Sequence, residues 1–122
     1  MQFLMLIQIA NNADYESGKP VPAELEAAMG QLMGEWASSN AMVTAAGLRP
    51  TSQGARVQAV SGKVRVVDGP FTEAKEVIGG FFVLEAADKA AAVEMTRKFV
   101  ELHVKVLGPD FRLQCEVRQF DA

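Results

Sequence analysis

One cysteine, one histidine, one tryptophan and one tyrosine are all that this chain of 122 residues holds of those four types. The lone thiol, Cys115, makes no internal disulfide, which excludes a disulfide scaffold and predicts a reducing, cytoplasmic setting. One histidine and one cysteine give no ligand cluster at a metal-binding spacing, so no metal is expected. A formal net charge of −3 leaves out the basic face that nucleic acid requires. No apolar run approaches the roughly 18 residues of a membrane helix. The N-terminal MQFLMLIQIANN has no basic leader and no A-x-A cleavage pattern, so it reads as a buried strand and not a signal peptide. Gly79-Gly80 precedes a strand pattern, whereas phosphate-loop glycines precede a helix, and no dinucleotide fingerprint occurs. No cofactor is expected.

What is present suits a globular protein. Hydrophobic residues make up 49% and charged residues 22%, a balance that folds rather than stays disordered. The length fits one domain over 1–122 that buries a core without staples.

Residues 2–10 are apolar on both alternating faces, with Phe3, Met5, Ile7 and Ile9 on one and Leu4 and Leu6 on the other. Such a strand is covered on both sides and belongs in the middle of a sheet. Asn11 to Val21 reads as a polar loop. Pro22 then opens a helix, where its missing N–H costs nothing, and Leu25, Met29, Leu32, Met33 and Trp36 follow at helical spacing. Gly30 and Gly34 lie four apart, a spacing that lets another backbone come close.

Residues 41–48 predict a second strand. Residues 55–60 and 63–67, separated by Ser61-Gly62, predict a hairpin. Asp68 to Glu76 is a loop, and residues 79–86, GGFFVLEA, form the second run that is apolar on both faces. Asp88 suits an N-cap for a helix whose stripe is Ala92, Met95, Thr96, Phe99, Leu102, His103 and Val106. On its solvated side Glu94 with Lys98, and Arg97 with Glu101, are spaced as ion pairs. Gly108-Pro109 stops it, and residues 111–120 alternate as a last strand with Cys115 on the apolar face as a small buried hydrophobe.

With the hairpin set aside as an insertion, this order is an α+β, ferredoxin-like β-α-β-β-α-β fold. Its first and third core strands are the central ones, and the two doubly apolar segments occupy those places. Two helices cover one face of the sheet, so apolar groups remain for the other. A homodimer with sheets face to face is the expected solution.

The segment VRVVDGPFTEAKEVIGGFFVLEAADKAAAVE resembles the DGPF-motif branch of the YCII-related proteins. AAGLRP upstream is similar to that family's Gly-x-Leu-x-Pro signature, and ELHVKVLGPDF with CEVRQF to its C-terminal pattern. The resemblance spans residue 1 to about residue 120. It implies a ferredoxin-like monomer pairing as a dimeric α+β barrel, in a superfamily that includes muconolactone isomerases, small monooxygenases and chlorite dismutases. It also implies a context near extracytoplasmic-function sigma factors. A smaller YCII branch has a proposed His–Asp pair whose His lies on the first helix. Here that helix, AELEAAMGQLMGEWASS, has no His, so the dyad does not transfer.

Asp68-Gly69-Pro70 has two readings. As a turn, Asp68 caps it, Gly69 takes a positive φ and Pro70 fixes the next φ. As a site, Asp68 presents a carboxylate at the mouth of a cavity walled by Phe71. Phe71 equally suits docking of the loop onto the core. Glu73, Lys75 and Glu76 are a solvated charged loop or a polar rim in which Lys75 holds an anion. Gly79 and Gly80 mark a bulge or a close approach by a ligand or partner chain. His103 is a satisfied core residue or, with Asp68, a proton-transfer pair. Tyr15 reads as exposed loop decoration, with a lid residue the alternative.

These residues predict a small-molecule binder, using cofactor-independent acid–base chemistry of isomerase or lyase type if it is an enzyme. The alternatives are a regulatory or ligand-sensing module tied to sigma factors, and an interaction domain with a filled interior.

Overall fold

The two doubly apolar segments do lie at the centre of the sheet. In a computed structural model that describes residues 1–10 and 13–121, β1 (Gln2–Ala10) pairs antiparallel with β5 (Glu76–Glu85) on one side and β6 (Leu113–Gln119) on the other. β2 (Met42–Gly47) completes the order β2-β5-β1-β6. This is the ferredoxin-like order. The alternation seen in the sequence sorts the side chains: Phe3 opposite Leu84 and Met5 opposite Phe82 point to one face, where all four are buried.

Two helices cover that face. α2 (Ala23–Ser38) contributes Leu25, Leu32 and Trp36, and α3 (Lys89–Leu107) contributes Ala92, Thr96, Phe99 and His103. Trp36, Phe82 and Phe99 meet edge to face in series, at centroid separations of 5.5 and 5.2 Å. Asp88 caps α3, its carboxylate accepting the Ala91 N–H at 2.8 Å, and Gly108 ends it at φ +86°. On the outside of α3, Arg97 bonds Glu101 at 3.0 Å and also reaches Glu94 at 3.7 Å, so Glu94 finds its partner at i+3 rather than in Lys98. No helix among the described residues is long and apolar enough to cross a membrane.

The opposite face carries Leu4 beside Val83 and Leu6 beside Phe81, all half-buried, with no helix over them. The predicted hairpin is present as β3 (Ala55–Val60) and β4 (Lys63–Asp68), a separate two-stranded sheet. Ser61 and Gly62 both have positive φ (51° and 78°), the tight-turn geometry whose twist matches the strands.

Several expectations change. The loop Asn11 to Val21 is not wholly irregular: Asn11 and Asn12 lie outside the described residues, but Ala13–Glu16 forms a helical turn, α1. Pro22 stands at the cap of α2, one place before its first helical residue, and its carbonyl accepts from Glu26. Gly30 and Gly34 face solvent, with nothing of the chain near a β-carbon at either. β5 starts at Glu76, three residues before Gly79, because its pairing with β1 runs on past a bulge opposite Ile7 and Gln8.

Candidate functional site

The core is tight at one end of the sheet and open at the other, and residue size explains this. Beneath α2, the end with Phe3, Leu84 and Trp36 is filled by large side chains. At the other end the strands supply Ala45 and Gly47 on β2 and Gly79 on β5. A cavity of about 1010 Å³ results. Ile7 and Ile9 of β1 lie on its sheet side, and Leu25, Met29 and Met33 of α2 lie opposite. Phe82, Phe99 and Phe111 add aromatic wall. Apolar lining of this size with few polar groups is what small-molecule sites have in common.

The mouth is built by residues 13–22, where α1 and the Pro20-Val21-Pro22 stretch border the opening. Tyr15 is not loop decoration. Half-buried, it lines the cavity and shares its hydroxyl proton between the carbonyls of Leu48 (2.9 Å) and Arg49 (3.1 Å), pinning α1 to the end of β2. Burial raises its pKa, with a further push from Glu16.

His103 lies on the α3 wall of this cavity and is 7% exposed. Its Nδ1 is 2.7 Å from the Phe99 carbonyl oxygen one turn back. Phe99 lies 4.5 Å from it, centroid to centroid, and Phe111 stacks at 6.3 Å on a near-parallel plane. Burial pushes the imidazole pKa below the ordinary histidine value, against a smaller opposing pull from the Phe99 carbonyl. The end of a helix alone would favour the cation; here desolvation outweighs it.

The DGPF stretch stands elsewhere. Asp68 closes β4 opposite Ala55, is exposed, and is not among the cavity-lining residues. The structure therefore does not bring Asp68 and His103 to one cavity. Gly69 is not at positive φ; a β-carbon there would overlap the Thr51 carbonyl, so close approach is what requires glycine. The Gly69–Pro70 peptide is cis. The Phe71 ring lies under the Arg56 guanidinium at 3.8 Å, and Arg56 also pairs with Glu73 at 3.2 Å, so both residues brace the base of the hairpin. Lys75 and Glu76 are exposed. Of the paired glycines, Gly79 borders the cavity and packs against Ile9, while Gly80 lies tight against the carbonyl of Ala46 on β2. What approaches Gly80 is the chain's own neighbouring strand.

One link joins this loop to the cavity mouth. The Thr51 hydroxyl donates to the Glu16 carboxylate (2.8 Å) and accepts the Phe71 N–H (3.2 Å). Thr51 and Glu16 carried no sequence signal, since their partners lie 20 and 35 residues away along the chain. Met29 and Met33 were read only as helix core. Cys115 lies in a separate groove of about 560 Å³ between α3 and β6, with its thiol pushed up to about 11 by burial. At neutral pH it stays a thiol and not the nucleophilic thiolate.

A helix-covered antiparallel sheet of order β2-β5-β1-β6, hollow at one end, defines a ferredoxin-like α+β protein with an internal apolar cavity. The chain belongs to the YCII-related domain family, whose sequence model matches residues 1–100. The matched span holds the mouth and the DGPF loop, while His103 and Phe111 fall just beyond it. No curated protein matches the chain at a significant level.

Proposed function

We propose that this chain, as a member of the DGPF branch, binds a small, largely apolar molecule in the cavity between sheet and helices. His103 serves there as the group for cofactor-independent proton transfer of isomerase or lyase type. The observation that carries this reading is a cavity of about 1010 Å³ on whose wall His103 is, among the described residues, the one ionisable side chain that is buried. An imidazole kept neutral by burial takes a proton from a bound substrate and returns it to another atom of the same molecule. Asp68 has no part in that chemistry, because it does not line the cavity.

The test is a thermal-shift screen against a metabolite library. A ligand at 100 times its dissociation constant adds about 2.7 kcal/mol of stability. Hits are expected to survive Asp68→Ala, to weaken in His103→Ala and to vanish in Ala45→Leu, which fills the hollow end. An absence of hits, or hits indifferent to Ala45→Leu, sinks the reading.

We further propose that two copies pair in the cytoplasm through the helix-free face of the sheet. Half-buried Leu4, Leu6, Phe81 and Val83 support this, since apolar groups of that extent lower the free energy when covered. A second reading, a regulatory module linked to sigma factors, draws support from the β3–β4 hairpin. Val57, Val64 and Val66 share one of its faces and are 70%, 76% and 65% exposed, an apolar strip suited to a protein contact. Co-purification with a sigma factor that is lost on Val64→Asp would favour it.

A further inference from the structure

The wall of the cavity constrains what it holds, and this deepens the binding reading above and rests on it. A carbonyl oxygen only accepts hydrogen bonds. The 2.7 Å contact to the Phe99 carbonyl therefore requires the proton on Nδ1 of His103. In the neutral ring Nε2 then bears a lone pair. Nε2 has no hydrogen-bond partner among the described residues, and among those residues no fully shielded side-chain nitrogen or oxygen lacks one, so Nε2 keeps accessible surface. Nε2 is thus reachable from the cavity that His103 lines. Phe99 packs against the ring and Phe111 stacks with it, so its direction is set by packing and by the Nδ1 contact.

The remaining lining decides the rest. From β1, α2, β2, β5 and β6 the cavity receives only aliphatic, aromatic, methionine and glycine positions. Asp14 and Lys19 stand at the mouth, exposed and 3.6 Å from each other, and Tyr15 is engaged by Leu48 and Arg49. Among the described lining residues Lys19 is the one cation, and Asp14 pairs with it at the mouth. An anion pushed against the Nε2 lone pair would lose its hydration and meet no countercharge at that buried wall, since Lys19 stands at the mouth, paired with Asp14. A neutral hydroxyl would donate to Nε2 and satisfy both groups. Aromatic walls with Met29 and Met33 among them suit a flat ring.

We infer that the cavity recognises a neutral phenol-type hydroxyl on a flat apolar body, with His103 Nε2 as the acceptor that selects it. Carboxylates of the same shape are rejected, and so are ethers that cannot donate. Binding holds across neutral pH. It falls on the acid side as His103 takes a second proton and Nε2 becomes a donor. It falls on the alkaline side as the phenol ionises near pH ~10.

The experiment uses the intact protein with three probes of one shape: naphthol, its methyl ether and naphthoate. Calorimetry near neutral pH is expected to rank naphthol about tenfold or more above the ether, the loss expected when a buried acceptor goes unpaired. Naphthoate should bind more weakly still. His103→Phe keeps the aromatic stack and should bring naphthol and ether level. Should that variant fail to fold, nitrogen NMR of the wild type gives the same answer, because the chain has one histidine. The Nδ1–H tautomer should be seen, with Nε2 shifting on addition of naphthol. Equal binding of naphthol and ether, preference for naphthoate, or the opposite tautomer overturns the inference while leaving a binding cavity in place. If none of the three binds, the inference falls, and the cavity reading is decided by the metabolite screen.

Discussion

His103 is subject to two opposed local effects, a buried site that disfavours its charged form and a hydrogen bond to the Phe99 carbonyl that favours it, and burial prevails. The consequence for stability has a definite sign. Above about pH 6.5 the imidazole is neutral in both folded and unfolded chains and costs nothing. As pH falls below that value the unfolded chain takes up a proton that the folded chain resists, so stability drops. The drop levels off once pH passes the lowered folded pKa. Urea midpoints measured between about pH 7 and pH 5 should therefore decline in the wild type and stay flatter in His103→Phe. Parallel declines in the two proteins would contradict this. The sequence marked His103 by rarity and by its place on an apolar stripe. It did not reveal which ring nitrogen would be engaged, because that depends on rotamer and on the rings of Phe99 and Phe111 around it.

Among elements, the DGPF loop and the mouth segment are joined through Thr51. Its hydroxyl receives the Phe71 N–H and gives its own proton to Glu16, so two loops from distant parts of the chain share one side chain. Thr51→Val keeps the shape and removes the hydroxyl, leaving a partly buried N–H and a carboxylate without this partner. A loss of about 1–3 kcal/mol is expected. Hydrogen exchange should rise together in residues 13–18 and 69–74. A rise confined to one of the two segments would show that they are not coupled. The same contacts separate the two readings of the motif. By local pattern Gly69 and Pro70 look like turn residues, and Phe71 looks like a pocket wall or an anchor that docks the loop. In the fold, Gly69 makes room for Thr51, and Phe71 braces Arg56. The hairpin itself was legible, since alternating valines around Ser61-Gly62 need only local backbone preferences.

For the whole molecule, the helix-free face leaves Leu4, Leu6, Phe81 and Val83 only half-buried. Leu6 and Phe81 are neighbours across β1 and β5 on that face. If two copies pair there, sedimentation at micromolar concentration should give a dimer for the wild type. Leu6→Glu and Phe81→Glu should give folded monomers, since a carboxylate in a covered apolar face carries its full desolvation cost. A wild-type monomer at that concentration, or dimeric variants, would rule out this interface.

Sequence alone determined the element order, the two central strands, the stop at Gly108, the Asp88 cap and the hairpin. Each depends on periodicity or on backbone chemistry within a few residues. Only the tertiary structure decided where the chemistry lies. It set the cavity at the end of the sheet where Ala45, Gly47 and Gly79 meet Leu25 and Met29, and it turned His103 onto that wall with Asp68 left outside. Space of that kind comes from the absence of side chains on several strands at once, and no single stretch of sequence can record it.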